Sequence, residues 1–262
     1  MPLPKNDPHA KVVGSLNDLV SVHHGSRVEV AFYPKLDTPA DILQIFEKII
    51  TEDKSFIIYH IQNLGDETKL TYRISANNKE YIYGGPSLEK WQSVFTDYLT
   101  KIHCLSQGVC DQFIRWVIHE LQKHRDLLKK LKRAKGQYKD LSVTASLRSS
   151  QASAQVARTS NVMAYHRDRQ NYTLMKFYVG PSTRYAPRST FASLPKSISN
   201  IGVLNPQEQE SLTSCEYALE GQGVCIHKGQ YMPYVKTFHR APEGPDSKNA
   251  RGFLAAWLSW DA

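Results

Sequence analysis

CDQFIRWVIHELQKHRDLLKKLKRAKGQYK (residues 110–139) is the stretch whose reading decides the fold. Cys110, Ile114, Val117, Leu121, His124, Leu128 and Leu131 recur at alternating gaps of four and three, which sets them along one stripe of a helix. Phe113, Trp116 and Leu127 widen it. A stripe of that width must be buried, so the spacing predicts a core helix near 110–136, with Gly136 as its stop. Its second half carries Lys123, Arg125, Lys129, Lys130, Lys132, Arg133, Lys135 and Lys139 against one acid, Asp126. Balancing acids at i+4 are nearly absent, so the run reads as a cationic surface rather than a mixed-sign solvated face. His124, in the stripe, reads as a packed core histidine.

Upstream, the 28–34 stretch VEVAFYP alternates as a strand and stops at a proline. Asp37-Thr38-Pro39 is a cap followed by proline, and the helix it starts runs to about Thr51. Ser55 to Gln62 and Lys69 to Ser75 read as strands. Asn77-Asn78 is a hairpin turn that returns through Glu80 to Tyr83. Ser87 caps a helix to about Cys104. Before all of these, residues 1–27 form an irregular arm around Pro2, Pro4 and Pro8, with one helical turn over Ser15 to Val20. His23 and His24 in that arm read as solvated.

Downstream, residues 142–164 are Ser/Ala/Arg-rich and read as a low-complexity connector. Tyr172 to Val179 is a strand ended by Gly180-Pro181. Asn205-Pro206 opens a helix to near Gly221. Val224 to His227 and Tyr231 to Phe238 read as a strand pair around Lys228-Gly229, and Gly252 to Trp260 as an apolar terminal helix. The fold class is α+β: small mixed or antiparallel sheets packed with amphipathic helices. The expected organisation is an arm (1–27), a lobe ending in the basic helix (28–141), the connector (142–164) and a basic-aromatic α+β lobe (165–262).

Charge is the main clue to function. The 262 residues hold 33 Lys and Arg against 25 Asp and Glu, a formal charge of +8 and a pI near 9.2. Between Lys123 and Asn200, 16 of those cations meet only Asp126, Asp140 and Asp168, so the excess is regional. Concentrated positive charge implies a polyanion. Arg167, Arg169, Lys176, Arg184 and Arg188 lie among tyrosines, a pairing that suits phosphates and stacked bases. The opening residues lack the apolar run of a signal peptide, and no stretch nears 18 apolar residues. Four separated cysteines fit an intracellular protein, cytoplasmic or nuclear and not secreted.

Motif chemistry is sparse. There is no G-x-x-x-x-G-K-[ST], G-x-G-x-x-G, H-E-x-x-H or G-x-S-x-G, and no paired C-x2-C. No catalytic residue, metal ligand or cofactor is nominated. The first reading is therefore a non-enzymatic, self-associating protein of viral nucleocapsid, matrix or coat type. It binds nucleic acid, RNA above all, through the thirteen cations named above, and forms homo-oligomers through Trp257 and Trp260. One alternative is a matrix-like protein on anionic membranes. Another is an intracellular enzyme acting on a phosphorylated or nucleic-acid substrate through a Cys/His or carboxylate site. The enzyme's mark is a concave pocket beside the basic surface that brings His166 or His227 near a cysteine or carboxylate.

Overall fold

The computed structural model describes residues 7–24, 27–35, 38–52, 57–64, 68–76, 79–81, 87–131, 142–149, 168, 170–186, 217–219, 222–229, 232, 238–240 and 251–259. In chain order the elements are β1 (Ala10–Val12), α1 (Leu16–Ser21), β2 (Val30–Tyr33), α2 (Ala40–Glu52), β3 (Ile57–Leu64), β4 (Thr68–Ala76) and β5 (Lys79–Tyr81). Then come α3 (Leu88–His103), α4 (Gln107–Lys129), β6 (Ser142–Ser149), β7 (Tyr172–Val179), β8 (Arg184–Ala186), β9 (Gly223–Lys228), β10 (Phe238–Arg240) and β11 (Gly252–Ser259). The fold is α+β. One nine-stranded sheet runs β1-β2-β9-β7-β11-β6-β3-β4-β5, and β8 pairs with β10 in a second, smaller sheet. Among the described residues every ladder is antiparallel except β1 with β2.

Strand alternation gives the large sheet two distinct faces. On β7, Tyr172, Leu174 and Tyr178 join the core shared with the helices, while Met175 and Phe177 join a second core. On β11, Leu254, Ala256 and Leu258 point to the helices, and Phe253, Ala255 and Trp257 the other way. The helical layer contributes Leu19, Ile42, Phe46, Ile49, Trp91, Phe95, Leu99, Phe113, Val117, Leu121 and Leu128, all buried. Each such side chain adds about 1.5–3 kcal/mol of burial. The opposite face packs on the small sheet through Tyr185 of β8, which meets Phe32 of β2 edge to face at 5.5 Å.

Local chemistry sets the helix ends. Ser87 Oγ accepts from Lys90 N–H at the start of α3. Cys104 closes that helix in the left-handed region at φ 52°, and Lys48 donates to the His103 carbonyl at 2.9 Å. The α4 stripe is buried as its spacing predicts, but α4 ends at Lys129, short of Gly136. Its final turn tightens, Lys130 N–H bonding Leu127 O and Leu131 N–H bonding Leu128 O.

Several expectations are corrected. Ser142–Ser149 is a strand between β11 and β3, not part of a connector. Gly252–Ser259 is a strand, not a helix, and is apolar throughout because both of its faces are covered. Val224 to His227 is a strand and pairs with β2 and β7; most of its expected partner, Tyr231 to Phe238, lies outside the described residues. The arm holds β1 as well as the anticipated turn of helix. His23 is buried, its Nε2 3.2 Å from the Ile226 carbonyl oxygen. The helix expected from Asn205 lies outside the described residues.

Candidate metal centre

The inner face of β9 carries Cys225 and His227 by alternation, with Val224 and Ile226 turned to the helices. The register sets His227 opposite Thr173 of β7. Thr173 Oγ1 donates to Asp168 Oδ2 at 2.6 Å, fixing a carboxylate that lies just before β7. Gly229 holds the same corner: its N–H bonds Asn171 O at 2.8 Å, and a Cβ there would meet Gln170 O at 1.9 Å. Only glycine permits that approach. From the small sheet, β10 brings His239 beside Tyr185 in the ladder.

These three strands' ends converge. His227 Nε2 lies 3.0 Å from Asp168 Oδ2, and His239 Nε2 lies 3.4 Å from Asp168 Oδ1. The two imidazoles are 4.4 Å apart between ring centres, and one ligand atom from each residue falls within a 4.8 Å span. Metal bonds of about 2.1 Å put neighbouring ligand atoms roughly 3 Å apart, so the observed separations fit a shared cation. Burial opposes ionisation of Asp168, but the imidazoles of His239 and His227 outweigh it and hold the carboxyl well below its ordinary range. Burial lowers His239, partly offset by Asp168, which favours the neutral imidazole a metal needs.

The surroundings are built as carefully. Tyr185 Oη lies 3.1 Å from His227 Nδ1 and 3.0 Å from Cys225 Sγ. Burial pushes the Tyr185 phenol well up and the Cys225 thiol up to about 12, so both stay protonated. Further along the interior, Arg251 is 5% exposed and donates to Thr183 Oγ1 at 2.9 Å. Its guanidinium sits over the rings of Phe177 and Phe253, 5.3 and 4.6 Å from their centres. Its Nε has no hydrogen-bond partner, and no carboxylate pairs with it, among the described residues. Burial pulls its pKa down to about 10, partly offset by Tyr185 and Cys225. A buried cation in this state calls for an anion.

Residues chosen from sequence fare unevenly. His227 is in the centre, beside a carboxylate and, through Tyr185, a thiol. Lys123 and Lys130 are exposed, while Arg125 and Lys129 both reach Asp126. Lys176 is buried against Glu120 on the helical face and belongs to no surface track. Arg184 is half-buried on β8. Trp257 turns into the inner core, its ring 4.6 Å from the Arg148 guanidinium carbon. His166, Lys132, Arg133, Lys135, Lys139, Arg167, Arg169, Arg188 and Trp260 lie outside the described residues. Asp168, His239 and Arg251 were missed as functional groups, since they share no short motif with His227.

No protein-family model and no curated protein matches the chain. Among solved structures, it is similar to IDO from Bacillus thuringiensis at 10% identity and TM-score 0.43, over 95% of this chain and 97% of that one. It is also similar to a full-length Neurospora crassa protein in complex with alpha-KG (10% identity, TM-score 0.39, 94% and 79% covered). A third is the Fe(II)/(alpha)ketoglutarate-dependent dioxygenase TqaL (8% identity, TM-score 0.40, 94% and 91% covered). With TM-scores below 0.5, the chemistry has to be read from this chain's own side chains. The interior two-histidine, one-carboxylate cluster overturns the expectation of a non-enzymatic, self-assembling viral protein. Nucleic acid and anionic membrane fall with it as partners. The cations behind that expectation are partly interior, as Lys176 and Arg148 show.

Proposed function

We propose that the chain is a mononuclear iron(II)-dependent oxygenase that uses dioxygen with an oxo-acid co-substrate of the 2-oxoglutarate kind. The observation that carries this reading is the Asp168, His227 and His239 cluster. Two histidines and one carboxylate leave a cation with open positions, and this donor set is the one non-haem iron(II) oxygenases use. A structural zinc site closes instead with four protein ligands, typically including sulfur. Here the nearby thiol of Cys225 is engaged with Tyr185.

Iron(II) bound by these residues supplies the redox chemistry through which dioxygen reacts with an organic substrate. The chain's own groups do the rest. Asp168 brings the negative charge that offsets the cation, held in aim by the Thr173 hydroxyl. Arg251 offers a carboxylate a planar, charge-assisted fork. Phe177 and Phe253 keep water from that fork and so strengthen its pairing. Between Arg251 and His227 runs a line of contacts through Thr183, Met175 and Tyr185. An acid anchored at Arg251 therefore shares one interior with the triad. The Neurospora crassa protein has been seen with alpha-KG, a ligand of this class, and TqaL depends on one.

The test is anaerobic titration with Fe(II), then oxygen uptake on adding 2-oxoglutarate. The reading expects one Fe(II) per chain and uptake that needs both additions. Asp168→Ala and His239→Ala should abolish binding. Absence of Fe(II) binding by the intact chain refutes it. His166 stands two residues before Asp168 in sequence, so His166→Ala belongs in the same series. It retains iron under this assignment, and its loss of iron with retention by His227→Ala would move the third ligand to His166.

A further inference from the structure

On the metal reading above, His227 must present a bare Nε2, so the position of its one proton matters. We propose that Tyr185 is the positioning residue for His227, a two-way hydrogen-bond partner with the Cys225 sulfur as its alternative acceptor. The phenol oxygen lies 3.1 Å from His227 Nδ1, 3.0 Å from Cys225 Sγ and 3.7 Å from Met175 Sδ. The residue is held firmly. Its backbone exchanges two bonds with Tyr217, at 2.8 and 2.7 Å, and its ring packs on Phe32, His227 and His239.

Two arrangements satisfy every group without moving a heavy atom. Without a cation, the Asp168 carboxylate can only accept, so the proton sits on His227 Nε2, 3.0 Å away. Nδ1 is then a lone pair, and Tyr185 O–H donates to it. With a cation on Nε2, the ring's proton sits on Nδ1 and donates to the Tyr185 oxygen. The phenol proton then turns to Cys225, a weak acceptor that does not hold it against return. The ring is neutral in both states: one proton changes nitrogen, and none is gained or lost. A fixed donor would suit only the first state, and a fixed acceptor only the second. A hydroxyl beside a sulfur suits both.

The experiment compares wild type, Tyr185→Phe, Cys225→Ser and Cys225→Val, each checked for folding by circular dichroism. Long-range proton–nitrogen spectra report the His227 nitrogens before and after Zn(II), and calorimetry gives the Zn(II) affinity. Wild-type His227 is expected to change from the Nε2–H to the Nδ1–H form on loading. Tyr185→Phe should shift the Nδ1 resonance of the metal-free protein and weaken Zn(II) binding roughly 10- to 100-fold. Cys225→Ser should bind like wild type, and Cys225→Val severalfold more weakly. An unmoved Nδ1 resonance and unchanged affinity in Tyr185→Phe overturn the proposal. If that variant does not fold, equal affinities in the two Cys225 variants overturn it instead. A wild-type chain that takes up no Zn(II) or Fe(II) sinks the metal reading, while the metal-free spectra still decide whether Tyr185 holds the ring.

Discussion

Glu120→Gln is the sharpest probe of what ties the helical layer to the sheet. Glu120 lies on the buried side of α4, 4% exposed, and accepts from Lys176 Nζ at 2.5 Å and from the Tyr178 hydroxyl at 2.6 Å. Burial opposes its charge, but His124, Lys176 and Tyr178 outweigh that and hold the carboxyl below its ordinary range. Removing the charge strands the Lys176 ammonium, itself 4% exposed. Breaking one side of a buried pair costs about 3–5 kcal/mol. Lysine can escape only by shedding its proton, which at pH 7 costs an ordinary amine roughly 5 kcal/mol, so the two figures agree. For a chain of this size the melting point should drop on the order of 10 °C. Urea unfolding of Glu120→Gln, Lys176→Met and the double variant gives the coupling directly. The double variant should be more stable than Glu120→Gln alone, because no charge remains to be stranded. A Glu120→Gln cost below about 1 kcal/mol, or a double variant equal to the sum of the singles, would refute the reasoning.

His124 predicts acid sensitivity. Burial, then Lys176 and Lys123, lower its pKa to about 4 against a partial opposing effect of Glu120. Between pH 6.5 and 4 the unfolded chain takes up a proton the fold refuses, so stability falls with pH by up to about 1.4 kcal/mol per unit. Urea midpoints at pH 7 and pH 5 should converge in His124→Met, and an unchanged gap would count against this. Arg251→Met should weaken 2-oxoglutarate binding roughly 100-fold, the loss of charge-assisted bonds, while Zn(II) affinity stays put. A calorimetric titration in which both ligands weaken together would contradict that separation. Gly229→Ala drives a methyl into Gln170 O and so displaces the Asp168 corner. It should lower metal affinity with every ligand still present, and a wild-type titration curve would show that the corner yields freely.

Periodic elements were legible because one physical pattern dominates each. The α2 and α3 helices carry single apolar stripes behind Asp37-Thr38-Pro39 and Ser87, and β7 alternates beside a closing glycine. Two strands covered on both faces, β6 and β11, were not legible. GFLAAWLS has no period to separate strand from helix, and its partner SVTASLRS looks like low complexity because small residues suffice where two layers press on it. Their pairing, residue for residue from Gly252↔Ser149 to Ser259↔Ser142, is a long-range fact that local pattern does not carry.

The charge count misled for a related reason. Lys176, Lys228, Arg148, Arg240 and Arg251 all read as surface cations in a sequence, yet all are buried. What each does depends on which face of its strand it occupies. Lys176 faces the helices and finds Glu120, a partner 56 positions away, so it holds layers together. Arg251 faces the interior, and among the described residues it meets rings and a hydroxyl but no acid, which is why it is the proposed seat for an anionic co-substrate. A one-residue change of register exchanges those roles. The same parity governs the triad: His227 reaches Asp168 because it shares a face with Cys225, and would be a core residue on the face of Ile226. Asp168, His227 and His239 are scattered in sequence because they stand on different strands or strand ends that the fold, not the chain order, brings together. The legible signal in such a chain is therefore a histidine at the end of an apolar strand run, and its meaning waits on knowing which way the strand faces.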